Sequence, residues 1–161
     1  MTWSEAVMAS RGQTVDWYMW GGSPAVNAYV NGYLADELQK RYGITLRQVP
    51  VKDISEVVSK LVVEKQAGKD SGGSVDLMWI NGENFRTCRK YDLLFGPFAQ
   101  ELPNQQYVDW TNPTVKNDFG TPVEGFESPW GSAQMVMIYD SVRTPQPPKT
   151  VGDLLEWIKA H

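Results

Sequence analysis

Histidine and cysteine are almost missing: the 161-residue chain has one of each, Cys88 and the terminal His161. A lone cysteine excludes a disulfide within the chain. The two residues cannot supply a Cys/His zinc site, so neither a metal nor a cofactor is expected. Imidazole-based nucleophilic catalysis needs a histidine inside the fold, and this one ends the chain. Walker A and Gly-x-Ser-x-Gly sequences are also missing, and Gly21-Gly22 does not complete a dinucleotide fingerprint. No apolar run approaches the ~20 residues that cross a bilayer. Basic residues number 15 against 19 acidic ones, and they are scattered rather than gathered into a stripe. Nucleic acid is therefore not an expected partner. The opening Thr2-Trp3-Ser4-Glu5 has neither the positive nor the apolar region of a signal peptide. At the other end a helical pattern stops without a C-cap. Both ends read as cuts in a longer protein, of which this is the N-terminal part.

Aromatic residues are plentiful, with seven Trp and seven Tyr. Such residues fill a core or line a site that grips a flat or cationic ligand. Cys88 is expected to be an inert core thiol. The local patterns alternate between two periods. Val15–Trp20 is a run of strand formers that breaks at Gly21-Gly22. Ser23-Pro24 then reads as N-cap and first helical position, and apolar residues recur at helical spacing until Gly43 closes the helix. Ile44–Val51 alternates like a strand. Asp53 with Glu56 reads as a capping-box variant opening a helix whose buried face is Ile54, Val57, Val58, Leu61 and Val62. Val75–Ile80 is a third strand, and Asn81-Gly82-Glu83-Asn84 turns into a short helix through Phe85 and Cys88.

Strand, helix, strand, helix, strand, helix is the order of an α/β fold, a parallel or mixed sheet flanked by helices. In such sheets ligands bind beyond the carboxyl ends of the strands. Residues 95–128 form a long irregular excursion punctuated by prolines. Trp130–Tyr139 alternates like a strand, 144–149 is a stiff Pro-rich connector, and Thr150 caps a last amphipathic helix.

The layout resembles the type II periplasmic solute-binding proteins, in the branch with iron-, thiamine- and polyamine-binding members, and is nearest to a group of thiamine-type binding proteins. Four stretches carry the likeness: the strand running into Trp20-Gly21-Gly22-Ser23, Val75–Phe85, Pro129–Asp140, and Pro147–Leu155. The resemblance implies a two-lobed clamp that captures a small solute for an inner-membrane ABC permease. It implies a periplasmic location and no enzymatic activity. On that map residues 1–128 are the first lobe, 129–149 a hinge-crossing strand and connector, and 150–161 the start of a second lobe. A crossing strand left with a bare edge invites strand-mediated self-association.

Two turns are the candidate ligand site. Gly21, Gly22 and Ser23 at a helix start expose backbone N–H groups and admit close approach, which favours an anionic or polar group. A tight turn with a good N-cap accounts for the same residues. Asn81, Glu83 and Asn84 form a polar cluster in which Glu83 could meet a cation, or merely complement its own helix. Trp20 and Trp130 could stack on a ring or wrap a cation, and Ser132 could offer a hydroxyl. Trp79, inside a strand, is expected in the core. An α/β enzyme domain using the same strand ends, and a sensory ligand-binding domain, remain alternatives at this stage.

Overall fold

β-Branched and aromatic residues crowd Thr14–Trp20, and this stretch forms β1, the middle strand of a three-stranded parallel sheet. A computed structural model describes residues 2–131 and 136–160, which fall into two units, Met1–Pro129 and Trp130–His161. In the first unit β2 (Thr45–Val51) and β3 (Leu77–Met78) flank β1 in the order β2-β1-β3. Thr14 to Trp20 pair with Thr45 to Val51 without interruption. Asp16 and Arg47 face each other in that register and join in a two-pronged ion pair of 2.5 and 2.6 Å. The guanidinium holds the Asp16 carboxyl below the usual carboxylate range.

β1 is buried on one face and half-buried on the other, alternating with period two along the strand. Trp17 and Met19 point to one side and form a core with Val30, with Val26, Leu34, Leu46 and Trp79 packed around it. Trp79, one residue past β3, is thus a partly buried core neighbour, as the sequence leads one to expect. Tyr18 points the other way, where Lys60 donates to its hydroxyl at 3.2 Å. Met19 and Val30 are fully buried, each contributing about 1.5–3 kcal/mol through apolar burial.

The helices follow the sequence signals with a few departures. α1 (Trp3–Ser10) opens on a reciprocal Thr2/Glu5 capping box. α2 (Pro24–Tyr29) starts at Ser23, whose hydroxyl accepts from the Val26 N–H. A π-helical turn, Val30–Leu34, separates it from α3 (Ala35–Tyr42), which ends on left-handed Gly43 at φ +70°. α4 (Ser55–Gln66) buries Val57 and Val58. The expected Asp53/Glu56 capping box is not what opens it. The Asp53 carboxylate accepts from the Ser55 N–H at 2.8 Å, two residues on, and so closes a local turn that starts the helix later. The third strand is shorter than Val75–Ile80, because Gly72–Asp76 approach as a loop and only Leu77 and Met78 reach the ladder. Trp79 adds one bond, its N–H to the Tyr18 carbonyl at 2.9 Å.

α5 (Gly82–Lys90) buries Phe85 and Cys88 completely. The irregular excursion holds two 3₁₀ turns (Ala99–Glu101 and Pro103–Tyr107), the short α6 (Pro113–Lys116), and a two-stranded hairpin of β4 (Asn117–Asp118) and β5 (Thr121–Pro122). In the second unit, α7 (Val151–Ala160) is capped by Thr150, whose hydroxyl accepts from the Asp153 N–H while Asp153 accepts from the Thr150 N–H. The strand expected over 130–139 is not formed at 130–131 or 136–140. A strand exists only against a ladder neighbour, and among the described residues none pairs with it. Ser132 and the three residues after it lie outside the described residues.

Candidate ligand-binding site

The register of the sheet decides where the two candidate turns stand. β1 and β3 run parallel with Tyr18 opposite Met78, so Trp20 comes level with Ile80. The Trp20–Ser23 turn and the Asn81–Asn84 turn therefore leave the sheet at the same edge, on neighbouring strands about 4.8 Å apart. They form one rim at the carboxyl ends of the strands, the place where open α/β sheets bind ligands.

The first turn is built by contacts that only glycine allows. A β-carbon on Gly21 would stand 2.5 Å from the Pro50 Cβ of β2. One on Gly22 would stand 2.1 Å from Cζ2 of the Trp20 indole. The indole thus folds back over Gly22, and Trp20 stays half-exposed. Close approach is indeed the reason for both glycines, but the groups that approach are Pro50 and Trp20 of the chain itself. The Gly21 N–H donates to the Val51 carbonyl at 3.2 Å, extending the ladder by one residue.

Asn27, which the sequence patterns pass over, fixes this turn from α2. Its amide donates to the Gly21 carbonyl at 2.8 Å and accepts from Gln48 of β2 at 2.7 Å. Asparagine is a poor helix former, and its presence just inside a helix is the signal that its side chain has other work. An open groove of about 330 Å³ lies along Trp20, Gly21, Gly22, Pro50, Val51 and Lys52. Lys52 brings a positive charge to the β2 end of that groove. A second open groove, of about 320 Å³, is built from residues 100–125 around Trp110 and Lys116 and includes no strand-end residue.

The second turn is more acidic. Asn81 precedes α5 in extended backbone and is exposed, Glu83 is exposed in the first helical turn, and Asn84 is half-buried. Gly82 is buried at φ +58°, and its N–H donates to the carboxylate of Asp118 from β4. Burial raises the Asp118 pKa, against the pull of that N–H. Glu127 is pushed up to about 8, first by burial and then by the charge of Asp118. The Cys88 thiol is pushed up to about 11 by burial, with Glu127 adding to it. Asp118 and Glu127 come from the irregular stretch, 36 and 45 residues after Gly82 in sequence, so no local pattern could have placed them here.

The structure thus brings Trp20, Gly21, Gly22 and Ser23 together with Asn81, Glu83 and Asn84. Trp130 belongs to the second unit, where it is half-exposed. Among the described residues no group of three His, Cys, Asp or Glu side chains could hold a metal ion.

A family model described as bacterial extracellular solute-binding protein matches residues 33–161. The chain is also similar to Protein YnjB of Escherichia coli (strain K12), with 44% identity over 159 residues. That match takes in 99% of this chain and 40% of YnjB.

Proposed function

Since this chain belongs to the bacterial extracellular solute-binding protein family, we propose that it forms the first lobe of the substrate-binding component of an ABC-type importer. The observation that carries the reading is the common rim: two polar, glycine-containing turns, one carrying the half-exposed Trp20, leave neighbouring parallel strands at the same end. In this reading Trp20, Gly21, Gly22, Ser23, Asn81, Glu83 and Asn84 face a small solute, and Lys52 joins them. Residues 129–149 cross to a second lobe that closes on the solute by a hinge motion, carrying Trp130 and Ser132 toward it. The loaded protein then docks on an inner-membrane permease from the periplasmic side. The rim binds and does not catalyse.

A thermal-shift screen on the complete two-lobe protein tests this, with thiamine and its phosphates, polyamines, simple oxyanions and chelated iron as the panel. A true ligand at a hundred times its Kd stabilises the folded state by about 2.7 kcal/mol. Trp20→Ala should weaken binding of that ligand while shifting the melting temperature of the free protein by no more than a few degrees. Efficient turnover of a nucleotide or ester by the purified protein would defeat the reading. Full affinity in Trp20→Ala would remove Trp20 from the rim.

A further inference from the structure

We infer that the Asn81-Gly82 peptide is a self-modification site, where asparagine converts to aspartate or isoaspartate, and that the Asp118 carboxylate on the Gly82 N–H is the lock that sets its rate. The sequence holds two Asn-Gly pairs, Asn31-Gly32 and Asn81-Gly82. Asparagine is thermolabile, and most so before glycine, which has no side chain to obstruct attack by its own backbone nitrogen. That nitrogen bonds to the asparagine Cγ, the Cγ–Nδ2 bond breaks, and ammonia leaves with the peptide proton. Water then opens the five-membered ring at either carbonyl. The turn gains one negative charge, and the isoaspartate product also lengthens the backbone by a methylene.

The structure separates the two pairs. Asn31 lies inside the π-helical turn Val30–Leu34, and its amide donates to the Asn27 carbonyl at 3.0 Å and to Gln48. Backbone and leaving group are both held there. Asn81 stands in extended backbone, φ −160° and ψ 165°, is exposed, and makes no side-chain capping bond to α5. At this pair only the attacking nitrogen is held. Gly82 is the first residue of α5, so its N–H has no acceptor within the helix. Asp118 of β4 accepts it instead. The hairpin carrying Asp118 is pinned to the same helix, Arg86 donating to the Thr121 hydroxyl at 3.4 Å. Three residues past Thr121, Glu124 accepts from Arg89 at 2.5 Å. The Phe119 ring lies over Gly82, 3.6 Å from where a β-carbon would stand.

Ring closure needs the Gly82 nitrogen and the Asn81 Cβ to eclipse across the Cα–C bond. At ψ 165° the nitrogen stands well out of that plane. The Gly82 amide must therefore rotate, and to rotate it must leave Asp118. The reaction runs through a local opening whose cost is chiefly that charge-assisted bond. Asn81 belongs to the second turn, so the new charge appears at the strand-end rim.

The test is incubation of the complete two-lobe protein in mildly alkaline buffer, with peptide mass mapping and isoaspartate detection at both pairs over time. In the native protein Asn81 should convert slowly, and faster than Asn31. In denaturant the two should convert at similar rates, both faster than in the native protein. Asp118→Ala should accelerate Asn81 about tenfold, as loss of one hydrogen bond to a charged group predicts, and leave Asn31 unchanged. Asp118→Asn keeps a carbonyl acceptor and should stay nearer the wild-type rate. An Asn81 rate unchanged or slowed in Asp118→Ala would overturn the lock, slowing being the mark of a carboxylate that acts as base. Acceleration of both pairs together would place the protection in the fold as a whole and overturn it too. Native conversion at Asn31 as fast as at Asn81 would overturn the choice of site.

Discussion

One added methyl group at Gly21 and one at Gly22 should cause defects of different kinds, although the residues are adjacent. Neither glycine has left-handed backbone, so alanine brings no conformational strain at either place. At Gly21 the new carbon would stand 2.5 Å from the Pro50 Cβ and 3.4 Å from its Cα. Pro50 is held in the β2 ladder opposite Met19, and its ring has no rotamer to escape into. The overlap must move one strand against another, which costs about 1–3 kcal/mol. At Gly22 the clashing atoms all belong to the half-exposed Trp20 indole, at 2.1, 2.4 and 2.9 Å. That ring can swing into solvent. The loss is then only part of its packing, a fraction of the about 1.5–3 kcal/mol that burying a whole large apolar side chain supplies. Gly21→Ala should therefore lower the melting temperature by several degrees, at about 2–4 °C per kcal/mol for a domain of this size. It should leave the Trp20 indole N–H resonance, assigned with Trp20→Phe, near its native position. Gly22→Ala should melt within a few degrees of wild type, displace that resonance, and weaken the solute selected by the thermal-shift screen about as much as Trp20→Ala does. A wild-type melting temperature in Gly21→Ala, or a native Trp20 signal and full affinity in Gly22→Ala, would refute the account of the turn.

Three further outcomes follow from other parts of the molecule. Glu127 holds its proton up to about pH 8 in the folded state against an ordinary value of 4.5, so between those values the folded chain is protonated where the unfolded chain is not. Stability should fall as the pH rises through that window, by at most about 5 kcal/mol and, with partial exposure, by about 2 kcal/mol. Denaturant melts at pH 5 and pH 9 should show this slope in wild type and not in Glu127→Gln, with parallel slopes as the contrary result. The buried Cys88 thiol, with a pKa of about 11, should resist a thiol reagent at pH 8 until denaturant is added; rapid labelling of the native protein would contradict its placement. Val136, Met137, Ile138 and Tyr139 are exposed, Ile138 at 91%, and among the described residues none of them has a strand partner. The 161-residue chain should associate with rising concentration, read by light scattering, and Ile138→Lys should reduce this; a monomer at all concentrations would argue against it.

The sequence by itself determined the alternation of strands and helices in residues 14–90, because those elements are specified by local signals. Strand formers break at paired glycines, Ser23 caps, Gly43 closes in left-handed backbone, and Thr150 caps the last helix. From that order the parallel sheet follows, and from the sheet the edge where the two polar turns stand. The tertiary structure alone decided how the turns are filled. That Pro50 crowds Gly21, that Gln48 braces the Asn27 amide that holds the Gly21 carbonyl, and that Asp118 reaches the Gly82 N–H are contacts between residues whose sequence separation carries no period. The same holds for the strand expected at 130–139. Its alternation is a property of the chain, but a ladder needs a neighbour, and alternation cannot supply one. Local propensity writes elements, and only packing between distant segments braces their ends into one rim.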